Sequence, residues 1–333
     1  MKTFVIAEAG VNHNGKLKVA KKLIEQASIC GASAIKFQIY NTNELVTHDA
    51  HKAKYQEKNL LSKISQHEML KNYELKFIDF IEIKKHCIKN NIIFLASVFD
   101  LKSLEVFKKL KINKIKIPSG EITNYNLLKA IGKLNKEIII SSGMSKLKEI
   151  ESAIKLLIKS GTKKNKITLL HCNSDYPTPV KDVNLKAMTM MKEYFKIKIG
   201  YSDHSNNIEV PIAAVTLGAT IIEKHFTLNK KNYGPDHKAS LEPKEFNEMI
   251  KNIKNTEILL GTIKKIISPS ESQNIKYVRK SLVASKKINR GEIFKITNLS
   301  SKRPGDGISP MKITNILGKK AKKKFEKNEK IIV

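Results

Sequence analysis

The feature that most restricts this chain is a regular alternation of short strand-like runs with stretches of helical periodicity. Strand character recurs at Phe4 to Ala7, Ala34 to Gln38, Ile92 to Ala96, Lys114 to Ile117, Glu137 to Ser141, Ile167 to His171, Ile197 to Gly200 and Ile221 to Glu223. Helical spacing follows nearly every one, as in Leu17, Ala20, Leu23, Ile24 and Ala27 before the stop at Gly31. Parallel strands need a crossover between them, so strand, helix, strand is the unit of a parallel sheet. Eight such units in about 260 residues have the size and rhythm of a (β/α)8 barrel. The structural alternative, a doubly wound open sheet, lacks support because no glycine-rich dinucleotide fingerprint follows the first strand.

Two regions break the rhythm. Asn41 to Asn72 is long and polar, which predicts a lid or excursion over the active face. After a barrel domain spanning 1–262 and a linker at 263–276, the pattern changes to short strand-like pieces. These are Ser281 to Ala284, Glu292 to Phe294 and Lys330 to Val333. Residues 277–333 therefore read as a small, mostly β domain, of a size that leans on a partner surface.

Barrels place their chemistry at the C-terminal ends of the strands. Those ends carry Glu8; Lys36 and Gln38; Ser97; Lys116, Ser119 and Glu121; Ser142; His171 and Asn173; Ser202, Asp203 and His204; and Glu223 and His225. Singly, most have a structural explanation, such as turn formation by Ser119 or an interior ion pair of Lys36 with Glu8. A whole ring of buried polar groups is expensive unless it is used. The histidines after the seventh and eighth strands, His204 and His225, fall at the same end of neighbouring parallel strands, where imidazoles are natural ligands for a divalent metal. Lysines and hydroxyls opposite them suit a phosphorylated or carboxylated substrate.

Composition narrows the alternatives. A net charge of +31 first points to nucleic acid, but only Arg279, Arg290 and Arg303 are arginines and there is no tryptophan. Readers of nucleic acid favour arginine and stacking aromatics, so the charge reads as a lysine-biased surface with no nucleic-acid partner. Three cysteines (Cys30, Cys87 and Cys172) sit in apolar runs without metal-like spacing and read as reduced thiols. No apolar run approaches membrane-spanning length, and the expectation is a cytoplasmic, soluble protein without a membrane partner.

A set of ordered motifs adds a resemblance. They are Ala7 to Gly15 (AEAGVNHNG), Lys36-Phe37-Gln38, Lys116 to Glu121 (KIPSGE), Ser142-Gly143-Met144, Tyr176-Pro177-Thr178-Pro179, Gly200 to His204 (GYSDH), Glu223 to Thr227 (EKHFT) and Gly234 to His237 (GPDH). Together they resemble the sialic acid synthases, the bacterial nonulosonate synthases related to N-acetylneuraminate synthase. The tail, with Lys302-Arg303-Pro304-Gly305, resembles that family's antifreeze-like (SAF) domain.

The resemblance implies a condensation of phosphoenolpyruvate with an open-chain N-acetylmannosamine-type sugar and water, releasing phosphate. It implies Mn²⁺ or Mg²⁺ held by His204 and His225. Phosphoenolpyruvate would be held by Lys116, Ser119, Ser202 and Ser97, and the sugar by Lys36, Gln38, Tyr176 and Asp236. Glu121 would move protons, with Glu8 and His225 beside the metal and its water. Arg303 would reach the sugar's N-acetyl group in the barrel of another subunit, which requires a domain-swapped homodimer. Two departures qualify the match. Ala96-Ser97-Val98-Phe99 stands where much of the family has Ser-Thr-Pro-Phe. Asn173-Ser174-Asp175 leaves a phosphate contact open between Asn173 and Ser174. N-acetylneuraminate is the first expectation for the product. The alternative is N,N'-diacetyllegionaminate made from 2,4-diacetamido-2,4,6-trideoxymannose, since the stretch Gly234 to Pro243 also resembles the synthases of legionaminic acid.

Overall fold

The computed structural model describes residues 2–60 and 64–332. It falls into two compact units, Met1–Gly261 and Thr262–Val333. In the first, eight strands close into an all-parallel barrel in sequence order. They are β1 (Phe4–Gly10), β2 (Ala34–Ile39), β3 (Ile93–Val98), β4 (Lys114–Ile117), β5 (Glu137–Ser141), β6 (Ile167–Cys172), β7 (Lys198–Asp203) and β8 (Ile221–His225). The helices that return the chain include α1 (Leu17–Ile29), then, past the excursion, α5 (Phe77–Lys89), α6 (Leu101–Lys109), α7 (Tyr125–Lys133), α8 (Leu147–Lys159), α9 (Leu185–Phe195), α10 (Glu209–Thr216) and α11 (Pro243–Leu260). The (β/α)8 barrel read from the sequence is the fold.

Strand alternation sorts the side chains into two cores. Outward positions such as Ile35, Phe37, Ile115, Ile117, Ile138 and Ile140 meet the helices in the main apolar core. Inward positions Ile6, Ala34, Leu95, Ile139 and Leu170, with Phe4 and Ile221, form a separate plug across the barrel. Gly200 is part of that plug through its lack of a side chain. A Cβ there would lie 2.6 Å from Leu170 Cδ2 and 2.5 Å from the Ile221 carbonyl oxygen.

The polar stretch after β2 is structured around its own small core. It holds three short helices, α2 (Thr42–Leu45), α3 (Lys54–Leu60) and α4 (Gln66–Tyr73). Leu60, Met69 and Tyr73 pack with Val11 and Tyr40, and Leu45, Leu70 and Phe99 lie against them. Its base is tied down where Asp100 accepts from the Asn41 amide at 2.9 Å and Thr42 Oγ1 donates to Glu74 at 2.6 Å. Ser65 and Glu68 cap α4 reciprocally.

The second unit has a core of Leu282, Ala284, Ile288, Phe294, Phe325 and neighbours. The predicted strand at Ser281–Ala284 is β9. It pairs antiparallel with β10 (Leu299–Lys302), a strand the sequence pattern does not announce. The other two expected strands do not form as ladders. Ile293 makes a single bridge to Lys320, and Lys330 a single bridge to Val283; Val333 lies outside the described residues. Each piece places a single apolar side chain in the core, Phe294 and Ile331, so regular pairing has little to propagate. The stretch expected as a linker carries two short helices, α12 (Pro269–Ser272) and α13 (Asn274–Val278).

Candidate active site

On every strand the inward position just past the plug turns polar or carries a thiol. These positions are Glu8, Lys36, Ser97, Lys116, Ser141, Cys172, Ser202 and Glu223, and together they floor a cavity of about 410 Å³. Walls come from the loops beyond: Gln38 at the end of β2, Ser119 and Glu121 after β4, Ser174 and Tyr176 after β6, His204 after β7, His225 at the end of β8, and Asp236. Parallel register makes neighbours of Glu8 and His225, and of Ser202 and Glu223.

Four charged groups share the floor, each under 5% exposed. Lys36 Nζ is 2.7 Å from Glu8 and 3.7 Å from Glu223, and donates to Ser97 Oγ at 2.9 Å. Lys116 Nζ lies 2.7 Å from Glu223 Oε1, which also accepts from Ser202 Oγ at 3.1 Å. Burial disfavours every charge here, and the pairing decides the outcome. For Glu223, burial is overcome by Lys116 and Lys36, and its carboxyl sits well below the usual carboxylate range. Glu8 has less compensation; burial, reinforced by Glu223, leaves it raised despite Lys36. Lys36 faces the same burial, but Glu223 and Glu8 hold it above its ordinary value. At Lys116 burial wins, aided by Lys36, and the ammonium is the easier of the two to deprotonate.

The two histidines stand at one side of the mouth, ring centroids 5.4 Å apart. His204 Nδ1 meets the Asn173 carbonyl, which can only accept, so Nδ1 carries the proton and Nε2 offers its lone pair. His225 Nδ1 is buried with no hydrogen-bond partner. Burial lowers both imidazoles, His204 to about 4, so both are neutral at pH 7. Two neutral buried imidazoles, one with an orphaned nitrogen, fit a divalent metal. Among the described residues no group of three or more His, Cys, Asp or Glu side chains is placed to hold one. Tyr176 lies flat on His204 at 4.1 Å and edge-on to His225 at 5.5 Å.

Around the remaining wall, Gly143 lets two hydroxyls converge. A Cβ there would sit 2.2 Å from Ser174 Oγ and 2.8 Å from Ser119 Oγ, and the Gly143 amide donates to Ser119 at 3.0 Å. Gly10, at φ +51°, gathers a second group. A Cβ on it would meet Glu8 Oε1 at 3.3 Å and Asp236 Oδ2 and Gln38 Nε2 at 3.5 Å. Burial, with Glu8 nearby, pushes Asp236 up to about 7. Glu121 is likewise raised by burial, although Asn124 donates to it at 2.7 Å.

Of the predicted site residues, Glu8, Lys36, Gln38, Ser97, Lys116, Ser119, Glu121, Ser174, Tyr176, Ser202, His204, His225 and Asp236 therefore line one cavity. Two do not. Asn173 contributes its carbonyl to His204, while its side chain accepts from the Asp175 amide at 2.8 Å. Arg303 belongs to the second unit, where its Nε donates to the Val278 carbonyl at 2.9 Å. Three members of the expected ring face away. His171 points toward the helices and meets the Val183 and Asn184 carbonyls at 3.2 and 3.1 Å. Ser142 Oγ donates to the Leu170 carbonyl at 3.0 Å, and Ser141 lines the cavity in its place. Asp203 pairs with Lys224 behind the barrel wall. The sequence pattern places Glu223 in the ring without an individual role, reads Cys172 only as a reduced thiol and does not announce Tyr55 of α3, though all three line the cavity. Strand parity, counted back from the plug, identifies the first two.

Residues 23–265 match the NeuB family and residues 279–331 match the SAF domain. The chain belongs to the NeuB family; it is an enzyme, a transferase that forms a carbon–carbon bond. It is 50% identical over 330 residues to the N,N'-diacetyllegionaminic acid synthase of Campylobacter jejuni, covering 99% of each chain. To the N,N'-diacetyllegionaminic acid synthase of Legionella pneumophila it is 40% identical over 320 residues, 96% of this chain and 90% of that one. Among solved structures, N-acetylneuraminic acid synthetase from Leptospira borgpetersenii superposes with a TM-score of 0.73 at 35% identity, over 83% of this chain and 90% of the other.

Proposed function

We propose that the protein is an N,N'-diacetyllegionaminate synthase, condensing phosphoenolpyruvate with 2,4-diacetamido-2,4,6-trideoxymannose and water and releasing phosphate. The observation that carries it is the end-to-end 50% identity with the Campylobacter jejuni enzyme. This reverses the order expected from the motifs alone, which put N-acetylneuraminate first. The cavity supports the same choice. Its wall over β1 to β3 is apolar, built from Val11, Leu45, Val46, Leu70 and Phe99, and a 6-methyl group is better matched there than a hydroxymethyl.

In this reading Lys116, Ser119, Ser202 and Ser97 bind phosphoenolpyruvate, with Ser174 rather than Asn173 supplying the further phosphate contact. Glu223 holds the two lysines charged and in place before the anion arrives, since buried ammonium groups need a partner. The sugar lies along Lys36, Gln38, Tyr176 and Asp236, with the aldehyde toward the histidines. Carbon 3 of the enol phosphate attacks the aldehyde carbon, water adds at carbon 2, and the C–O bond to phosphate breaks. Glu121, kept protonated more readily than a free carboxyl by burial, delivers or takes the proton at the new hydroxyl. Glu8 faces the attacking water. His204 Nε2 and His225 would hold the metal, Mn²⁺ rather than Mg²⁺ given two nitrogen donors, and when bound it supplies Lewis-acid polarisation of the aldehyde. The proposal extends to a cytoplasmic homodimer in which Arg303 of the SAF domain completes the sugar site of the other subunit. No helix among the described residues is long and apolar enough to cross a membrane.

The test supplies purified protein with phosphoenolpyruvate, Mn²⁺ and each sugar in turn. Phosphate release with the diacetamido sugar well above that with N-acetylmannosamine is expected. Preference for N-acetylmannosamine would return the reading to N-acetylneuraminate, and release with neither would sink it.

A further inference from the structure

The His204 imidazole meets the Asn173 carbonyl at Nδ1, and its Nε2 lies 3.4 Å from Ser202 Oγ. Both contacts are made at the edge of the ring and leave its faces to packing. One face is covered by the Tyr176 ring, lying nearly parallel on His204 at 4.1 Å with an interplanar angle of 26°. Tyr176 is an outer residue of the β6–α9 connection and is itself stacked on a second ring. Tyr55 of α3 lies 4.8 Å from it at 28°. The three rings form a continuous pile from the excursion after β2 to the end of β7.

The far end of the pile is anchored to the loop after β8. Asn59 Nδ2, one turn along α3 from Tyr55, donates to the Pro235 carbonyl at 2.7 Å, and Tyr233 Oη donates to the Leu60 carbonyl at 2.7 Å. These bonds hold α3 against the loop after β8, the strand that carries His225. Gln56 Nε2 donates to the Tyr55 hydroxyl at 3.3 Å, which orients the ring without using its face. We infer that Tyr55 is a positioning residue: its ring presses Tyr176 flat onto His204 and so fixes the imidazole plane that the reaction uses. The loss of one stacked ring is modest as packing, but misplacement of a reacting group by about 1 Å costs on the order of a hundredfold. A small packing loss at Tyr55 is thereby amplified at the histidine.

Tyr55→Phe and Tyr55→Leu in the full-length protein test this by two routes. The first reads the His204 ring protons by NMR on histidine-labelled protein without substrates, assigned by their loss in His204→Asn. Tyr176 shields them by ring current, so Tyr55→Leu moves them downfield and Tyr55→Phe restores the parent position. The second reads turnover and rests on the synthase reading. Tyr55→Leu lowers kcat by about tenfold to a hundredfold with a smaller change in KM for phosphoenolpyruvate, and Tyr55→Phe restores kcat. If Tyr55→Leu does not fold by circular dichroism, Tyr55→Met fills the space without a ring plane and takes its place. His204 signals that stay put in the Leu or Met variant overturn the inference. So does Tyr55→Phe raising the sugar KM as far as Tyr55→Leu does, because the hydroxyl would then be a substrate contact. Failure of the synthase reading alone would silence the turnover route and leave the NMR result standing.

Discussion

Leu170 and Cys172 are two residues apart on β6 and both face the inside of the barrel, yet they belong to different regimes. Leu170 is part of the plug with Ile6, Ala34, Leu95 and Ile139, all buried and apolar. Cys172 is part of the ring that contains Glu8, Lys36, Lys116 and Glu223. The plug gains free energy by excluding water, and its side chains need nothing but shape. The ring above it places four charges out of water, a costly arrangement that native pairing only offsets. One step along eight strands separates the layer that holds the barrel together from the layer that reacts. The plug also serves the ring, since it closes the barrel beneath the charges and keeps bulk water from reaching them from below.

That contrast can be broken at either layer. The largest effect is expected in the ring. Lys116→Met removes a buried cavity-lining cation that on the proposed reading binds phosphoenolpyruvate, and phosphate release should fall by about a thousandfold or more with the fold retained by far-ultraviolet circular dichroism. Turnover near the parent level would show that the ring is structural. Leu170→Ala attacks the plug. It should cost about 2–5 kcal/mol in urea unfolding while kcat stays unmoved; a parallel loss of kcat would mean the two layers are one. Gly200→Ala is milder, forcing a methyl against Leu170 and the Ile221 carbonyl, for about 1–3 kcal/mol.

Two smaller effects sharpen the ring itself. Asp236 has its folded pKa raised to about 7, whereas an unfolded aspartate titrates near about 4. Between those values the folded state holds a proton that the unfolded chain has lost. This group's contribution to stability therefore falls as pH rises through that window. Asp236→Asn should flatten that part of the curve of urea midpoint against pH, and an unchanged slope would assign the effect elsewhere. Last, Val46→Thr exchanges a methyl for a hydroxyl on the apolar wall. It should shift the ratio of kcat/KM for the two sugars toward N-acetylmannosamine by about tenfold or less, and a ratio that does not move would remove Val46 from sugar selection.

The barrel and most of its ring are legible in the sequence because both obey a period of two. In FVIAEAG the parity that puts Ile6 inside also puts Glu8 inside, and in the β8 run IIEKH it selects Glu223 and His225 over Lys224. His171 and Ser142 are polar residues at strand ends, but each is one position out of phase, so each leaves the cavity to Cys172 and Ser141. The excursion after β2 looked polar because its apolar residues, Leu45, Leu60, Met69 and Leu70, are too sparse for a window to register. They meet only after three short helices fold back on one another. Tyr55 lies within that stretch, and no local pattern connects it with Tyr176, which is 121 residues away in the chain. In the second unit β10 was missed because Leu299-Ser300-Ser301-Lys302 carries one apolar residue and pairs only through its backbone.

Lys224 is the residue that parity sends to the back of β8, and it is fully buried there with Asp203 of β7. Its ammonium also meets the carbonyls of Ser205 and Asn207, which follow His204. The two histidine-bearing strands and the loop between them are thus fastened as a single block by one side chain that never meets a ligand. For protein engineering this divides the molecule usefully. On the proposed reading, exchanging the 42–73 excursion, which carries Leu45, Val46 and Leu70 of the apolar wall, should alter sugar choice while that block is left alone, provided an aromatic ring is kept at position 55. Replacing Lys224 would have the opposite character, touching no substrate and disturbing every one of them.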